Sequence, residues 1–83
     1  MNNVFIRMIR SLHRALAYRE EIANAFYGIA CIYSLQGKKR LAIQFLEKSL
    51  QEGFKDRDKI EKNSDLRNIR DSYGWKNLIE KYM

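Results

Sequence analysis

The chain has 83 residues, of which 46% are hydrophobic and 31% charged, so it is long enough for one small domain and too short for a multi-domain enzyme or a large ligand cage. Sixteen Lys and Arg against ten Asp and Glu leave a formal net charge of +6, which favours an anionic partner without distinguishing nucleic acid, phospholipid and an acidic protein surface. The chain has no proline and only four glycines, and we therefore expect an all-α fold.

The first predicted helix covers about residues 3–18. Its apolar residues recur every three or four positions, as on one face of an amphipathic helix, at Phe5, Met8, Ile9, Leu12, Ala15 and Leu16. Arg7 and Arg10 interrupt this run, so no stretch reaches the ~20 apolar residues of a membrane span. The segment contains arginines and no acid before Glu20, as organelle-targeting presequences do, and organelle targeting is therefore kept as an alternative.

Two further helices are predicted to form a hairpin. Apolar stripes cover residues 22–33 and 41–50, and each is followed by a glycine, Gly37 or Gly53. Glycine takes the left-handed conformation that ends a helix at little cost. About three residues join the two helices, so they must run antiparallel.

The predicted helices become shorter after Gly53. Residues 56–62 and 66–70 each fit one or two helical turns, and Asn63 and Ser72 supply side chains suited to helix capping. A final helix follows, and its apolar residues face back towards the hairpin: Tyr73, Leu78, Ile79 and Tyr82, with Trp75 nearby.

An internal repeat relates the first predicted helix to the third. A shift of 34 residues aligns Ile9 with Ile43, Leu12 with Leu46 and Leu16 with Leu50. Because the apolar phase is kept, the first helix is interpreted as the second helix of a preceding repeat whose first helix is missing.

Thirty-four residues is the period of the tetratricopeptide repeat, and residues 23–54 resemble one such repeat. The matching signature positions are Phe26, Ile29, Ala30, Tyr33, Gly37, Ala42, Leu46 and Ser49. Later residues resemble the tail that terminates some of these arrays, at Asp65-Leu66, Ile69-Arg70-Asp71, Trp75 and Leu78. The chain departs from the family at Phe54 and Tyr73, where a proline is usual.

The resemblance implies a right-handed, tetratricopeptide-like array of antiparallel helix hairpins with C-terminal capping helices. On this interpretation residues 1–83 form a single domain, composed of a half repeat at 1–19, a hairpin at 20–54 and a capping tail at 55–83. The cap would cover the apolar face of the last hairpin, as helical arrays require.

The same resemblance implies non-enzymatic protein–protein interaction, with a peptide or a partner protein held on the concave face. The positions that would line this face are Asn24, Tyr27, Cys31, Ser34 and Leu35. Tyr27 is the best anchor among them, because tyrosine offers rigid contact area with a polar tip. The alternative is that Tyr27 and Leu35 only pack against the first helix. The family's clamp for peptide carboxylates is absent, since Tyr27, Gly28 and Cys31 occupy its positions.

Self-association is also expected, because the first helix lacks its antiparallel partner. Its outer apolar residues Val4, Phe5 and Ile9 would then face water unless a second copy or a larger complex covered them.

A basic nucleic-acid-binding module is the alternative function. Arg7, Arg10 and Arg14 share one helix face and could hold phosphates, and Lys38, Lys39 and Arg40 form a compact run beside the hairpin turn. A third possibility is peripheral membrane attachment through the first helix.

Catalysis, metal binding and cofactor binding are not expected. Cys31 and His13 are the only cysteine and histidine, and they fall on different predicted helices with no orienting group. One histidine and one cysteine cannot assemble a zinc site, and the scattered glycines form no phosphate-binding loop. A single cysteine suits a reducing compartment, so a cytoplasmic location is predicted.

Overall fold

The computed structural model describes residues 3–83, and in that range it contains helices and no strand. The elements are α1 (Asn3–Leu35), α2 (Lys39–Gln51), α3 (Arg57–Lys62), a 3₁₀ helix (Ser64–Ile69) and α4 (Tyr73–Tyr82). The predicted all-α fold is confirmed.

The main difference from the predicted elements is the length of α1. The two helices expected at residues 3–18 and from residue 22 are one continuous helix of 33 residues. The intervening segment reads Ala-Tyr-Arg-Glu-Glu-Ile at 17–22, which contains good helix formers and no stop signal. The predicted break is therefore absent, and residues 3–19 do not fold back on the rest of α1 as a separate half repeat.

α1 and α2 form the predicted antiparallel hairpin, and both helices end at the expected glycines. Gly37 and Gly53 have φ angles of 76° and 96°, a region that side chains with a Cβ disfavour. The amides of Gly37 and Lys38 donate to Ser34 and Tyr33, the two-bond pattern of a Schellman motif. Gly53 and the residue after it repeat this pattern at the end of α2.

Small residues lie where α1 and α2 cross. Ala30, Ala42 and Ser49 are fully buried, and the Ser49 hydroxyl donates to the main-chain oxygen of Ala23 at 2.7 Å. Larger side chains pack beside this crossing, where Phe45 lies 6.0 Å from Phe26 and 5.5 Å from Tyr33 between ring centroids. These small residues therefore permit the two helices to approach closely.

The C-terminal tail covers one side of the hairpin, and its short helices begin at capping side chains. Asp56, Asn63 and Ser72 accept hydrogen bonds from the amides of Lys59, Asp65 and Trp75. Most apolar residues of the tail join the hairpin core, and the buried ones are Phe54, Ile60, Leu66, Ile69, Trp75 and Leu78. Tyr73, which was expected to face the hairpin, is 85% exposed instead.

The N-terminal half of α1 projects from this body. Every residue from 3 to 21 is exposed, and the molecule measures 56 × 23 × 19 Å. We call residues 3–19 the arm. In the part of the chain described here, no helix combines the length and the apolar character that crossing a membrane requires.

Candidate functional site

The predicted concave face is occupied by the chain's own tail. Tyr27, Cys31 and Ser34 are buried, and the Tyr27 ring stacks on Phe54 with 4.4 Å between centroids and 8° between planes. Asn24 and Leu35 stay exposed at either end of this face. The packing of Tyr27 is thus internal, although its neighbour is the tail and not the N-terminal helix that the sequence suggested.

Polar contacts hold the tail on this face. The Tyr27 hydroxyl donates to the main-chain oxygen of Lys59 at 3.2 Å and accepts from Asn63 Nδ2 at 2.7 Å. Asn68 Nδ2 donates to the main-chain oxygen of Ser34 at 2.9 Å. A partner peptide would have to displace these contacts to reach Tyr27 or Ser34.

Burial also makes the two titratable groups of this face less acidic. It raises the pKa of Tyr27 to about 12, against a lowering effect of the hydrogen bond from Asn63. Burial raises the pKa of the Cys31 thiol as well. Both groups are therefore neutral at physiological pH, and Cys31 is not a reactive thiolate.

The arm carries a different surface, a stripe of side chains that runs the whole length of α1. Its members alternate between steps of four and three residues, and we call it the seam: Phe5, Ile9, Leu12, Leu16, Arg19, Ala23, Phe26, Ala30 and Tyr33. This is the heptad spacing of helices that pack side by side.

α2 covers only the second half of the seam. Arg19 Nη2 donates to the main-chain oxygen of Gln51, the last residue of α2, and the later seam members lie against α2 or are buried. The four seam members before Arg19 lack this cover, with exposed fractions of 64% for Phe5, 54% for Ile9, 61% for Leu12 and 60% for Leu16. An apolar surface of this length on a small domain is typical of an interaction site.

The residues predicted for self-association lie on the arm. Val4 is 65% exposed, and Phe5 and Ile9 belong to the exposed seam. The structure therefore leaves all three open to solvent, as the sequence suggested.

The two groups of basic residues predicted to bind nucleic acid lie far apart. Arg7, Arg10 and Arg14 are exposed on the arm, on the helix face opposite the exposed seam. Lys38 to Arg40 lie at the far end of α1, where the Lys38 ammonium is 5.8 Å from the Tyr33 ring centroid. A helix rises about 1.5 Å per residue, so roughly 40 Å separates the sets along the axis.

The one cysteine and the one histidine of the chain lie far apart. Cys31 is buried in the body and His13 is exposed on the arm, about 27 Å away along the same helix. Among residues 3–83, no cluster of three or more His, Cys, Asp or Glu side chains is placed to hold a metal ion.

Two features of the site were missed by the sequence predictions. The continuity of α1 could have been read from the uninterrupted 4-3 spacing between Phe5 and Tyr33. The contacts of Asn63 and Asn68 with the predicted concave face had no sequence signal, because each joins residues more than 30 positions apart.

Comparison with known proteins gives a similarity to a plant protein. The chain is 30% identical over 63 residues, or 76% of its length, to a protein of Arabidopsis thaliana whose name describes it as chloroplastic, and this match covers 19% of that protein. The chain thus spans about a fifth of the length of this curated relative. No protein-family model matches the chain, and no solved structure matches it.

Proposed function

We propose that this protein is a non-enzymatic protein–protein interaction module that binds a helical segment of a partner along the exposed seam of its arm. The observation that carries the proposal is the seam itself: one half is covered by α2, and the other half, from Phe5 to Leu16, is exposed. The covered half of the seam packs α1 against α2, and the exposed half continues the same spacing, so it is suited to pack against a further helix.

The tetratricopeptide-like architecture is part of this proposal. It is supported by the antiparallel α1–α2 hairpin, by the small buried residues at its crossing and by a tail that covers its other side. Repeat proteins of this kind are built from hairpins that bury their faces against neighbouring units.

The binding site that we propose differs from the concave face expected from the resemblance. Tyr27, Cys31 and Ser34 are engaged by the tail, whereas the arm needs no rearrangement to bind. A preformed surface costs less ordering free energy than one that must first be uncovered.

A pull-down with matched variants tests the proposal. The full chain is immobilised and exposed to lysate of the source cells, at moderate and high salt and with nuclease, and bound proteins are identified by mass spectrometry. Leu12→Gln with Leu16→Gln should abolish specific capture because it makes the seam polar. Arg10→Gln with Arg14→Gln, on the opposite face, should retain it. Equal capture by the two variants contradicts the proposal.

Nucleic-acid binding is the second candidate, and the exposed Arg7, Arg10 and Arg14 face favours it. Its distinguishing property is steep salt dependence, because phosphate contacts release counterions. If the bound material is lost with nuclease and with Arg10→Gln, Arg14→Gln, this second function replaces the first.

The cellular compartment is also a proposal. A lone, buried cysteine suits any reducing compartment, which includes the predicted cytoplasm. The relative's name contains the word chloroplastic, and this favours an organelle. Imaging a C-terminal fluorescent fusion in the source cells distinguishes the two locations.

A further inference from the structure

We propose that the side of the hairpin away from the tail binds an amphipathic helix of a partner protein, one that carries acidic residues beside its apolar face. We call this side the open face. It consists of Phe26, Ile29 and Tyr33 on α1, Leu41 and Phe45 on α2, and the two lysines Lys38 and Lys48. The open face belongs to the body and not to the exposed part of the seam, so the inference does not depend on the proposed function.

The tail leaves the open face uncovered because it packs on other sides of both helices. On α2, α4 contacts Glu47, and Phe45 lies two residues earlier, about 200° around the helix. On α1, the tail contacts Tyr27 and Ser34, each of which directly follows an open-face residue and therefore points about 100° away from it. Leu41 is accordingly 36% exposed.

The centre of the open face is a connected group of aromatic rings. The Phe45 ring centroid lies 6.0 Å from that of Phe26 and 5.5 Å from that of Tyr33. These three side chains are half-buried, and so is Ile29, which lies between the two α1 aromatics. The rings therefore form one apolar surface that their mutual contacts hold in place. Such a surface with a polar rim is typical of an interaction site, and aromatic side chains are common anchors there.

Two lysines on the same side give the open face a positive charge. The Lys48 ammonium lies 4.7 Å from the ring centroid of Phe45 and 5.8 Å from that of Phe26. The Lys38 ammonium lies 5.8 Å from the ring centroid of Tyr33. An aromatic ring attracts a cation without neutralising its charge. Within residues 3–83 neither lysine forms an ion pair with a carboxylate, so a partner's carboxylates would supply the missing counter-charges.

The acids of α2 and its C-cap do not offset this charge. There are two of them, and Glu47 contacts Lys81 at 3.4 Å whereas Glu52 contacts Arg19 at 3.5 Å. The arm of a second copy is also a poor occupant, because residues 3–19 carry four arginines and no acid. Charge complementarity therefore selects an acidic partner over the chain's own arm.

The shape of the open face selects a helix. Two antiparallel helices leave a groove along their length, and a third helix fills it with apolar residues at every third or fourth position. Lys38 and Lys48 are ten positions apart, about 15 Å along the α2 axis. The partner's acids should have the same separation, with its apolar residues against Ile29 and Phe45 between them. Because the rings are already held in place, little ordering free energy is lost on binding.

Two synthetic peptides test the inference on the full chain. Both are amphipathic helices of about 20 residues with the same apolar face. One carries two glutamates about ten residues apart beside that face, and the other carries glutamines there. Titration of the isotope-labelled chain, followed by amide chemical shifts, should give about tenfold tighter binding of the acidic peptide. The shifts should be largest at Ile29, Tyr33 and Phe45. Lack of binding at about 1 mM acidic peptide, or equal affinity for the two peptides, would overturn the inference.

Charge reversal on the chain gives a matched comparison. Lys38→Glu with Lys48→Glu should weaken binding of the acidic peptide by about tenfold. Lys55→Glu with Lys76→Glu is the control, since it changes the net charge equally and Lys76 also lies near a ring, 5.9 Å from the centroid of Tyr73. This control should stay within about threefold of the unmodified chain. Equal weakening in the two variants would show attraction to the overall charge and contradict a site on the open face.

The remaining outcomes identify other occupants. Loss of peptide binding in Leu12→Gln, Leu16→Gln would place the peptide on the exposed seam, which overturns this inference and leaves the proposed function standing. Displacement of the acidic peptide by a thymidine oligonucleotide or by phosphatidylglycerol vesicles would replace the protein partner with nucleic acid or lipid. Shifts at the open face that depend on chain concentration alone would replace it with a second copy.

Discussion

The hydroxyl of Ser49 on α2 donates a 2.7 Å hydrogen bond to the main-chain oxygen of Ala23 on α1. Ser49 is fully buried, and so is Ser34 near the C-terminal end of α1. The Ser34 hydroxyl, in contrast, has no hydrogen-bond partner within residues 3–83. Ser49 thus links the two helices of the hairpin, whereas the buried hydroxyl of Ser34 makes no hydrogen bond within the described residues.

Replacing each serine by alanine should therefore have opposite effects. Ser49→Ala loses an interhelical hydrogen bond and should reduce the free energy of unfolding by about 1 kcal/mol. Ser34→Ala removes a buried, unpaired hydroxyl and should be neutral or stabilising by up to about 1 kcal/mol. Both sites are helical, so the gain in helix propensity is common to both. Urea denaturation measures the difference, and a greater loss for Ser34→Ala contradicts the prediction.

Arg70 should be the most important charged residue of the tail. Its guanidinium donates to the main-chain oxygens of Ile60 and Asn63, at 2.8 and 2.7 Å from Nη2, and lies 5.6 Å from the Trp75 ring centroid. Arg70→Met leaves two carbonyl groups without this donor and should cost about 2 kcal/mol of unfolding free energy. The exposed Arg67 is the matched control, and Arg67→Met should stay within about 0.5 kcal/mol. Equal losses in thermal or urea denaturation would count against this role for Arg70.

Alkaline pH should destabilise the fold partly through Tyr27. Burial raises its pKa to about 12, from 10.0 for an unperturbed tyrosine. Ionisation is therefore easier in the unfolded chain, so the stabilisation is complete below pH 10 and is lost as the pH rises towards 12. Cys31 contributes in the same direction, because its pKa is also raised.

Urea midpoints measured from about pH 8 to about pH 11 test this dependence. Tyr27→Phe should flatten the decline, although it starts from a lower stability because it loses the contact with Asn63. Tyr73→Phe, at an exposed position, should keep the decline of the unmodified chain. The assignment to Tyr27 fails if both variants decline equally.

The arm should be dispensable for the stability of the body. Residues 3–16 are exposed, and among residues 3–83 Arg19 is the first along the chain to make a side-chain hydrogen bond with α2. A chain starting at Ala17 should therefore unfold within about 0.5 kcal/mol of the full chain, at a concentration that keeps both monomeric.

Hydrogen exchange provides the complementary measurement on the full chain. Arm amides should exchange much faster than those of α1 near Ala30, because an isolated helical segment of this length is marginal in water. For the shortened chain that starts at Ala17, a large drop in the unfolding midpoint would contradict the prediction, because the arm would then stabilise the rest of the molecule.

Local features of this protein could be predicted from the sequence because each depends on residues close together in the chain. The amides of Gly37 and Gly53 donate to residues three positions back, and the amides of the residues that follow them donate to residues five positions back. Asp56, Asn63 and Ser72 cap helices two or three positions ahead. In the second half of α1 the apolar periodicity was likewise correct, because Ala23 and Ala30 of the predicted stripe are buried.

Periodicity could not show whether α1 is interrupted. The break that we predicted after Tyr18 is absent, because α1 is one continuous helix. An apolar stripe reports which side of a helix is buried, whereas a helix end requires its own stop signal. Residues 17–22 contain no such signal. The exposed arm follows from this single difference.

Periodicity and capping residues were enough to predict most of the helices, their ends and the faces that they bury. What covers those faces was settled by the packing of distant segments: Phe54, Asn63 and Asn68 cover the predicted concave face, α2 covers the seam as far as Arg19, and the rest of the seam is left open. The physical reason is that caps and periodicity act over a few residues, whereas covering a face requires side chains from distant segments to pack together. That packing placed the candidate interaction surface on the arm.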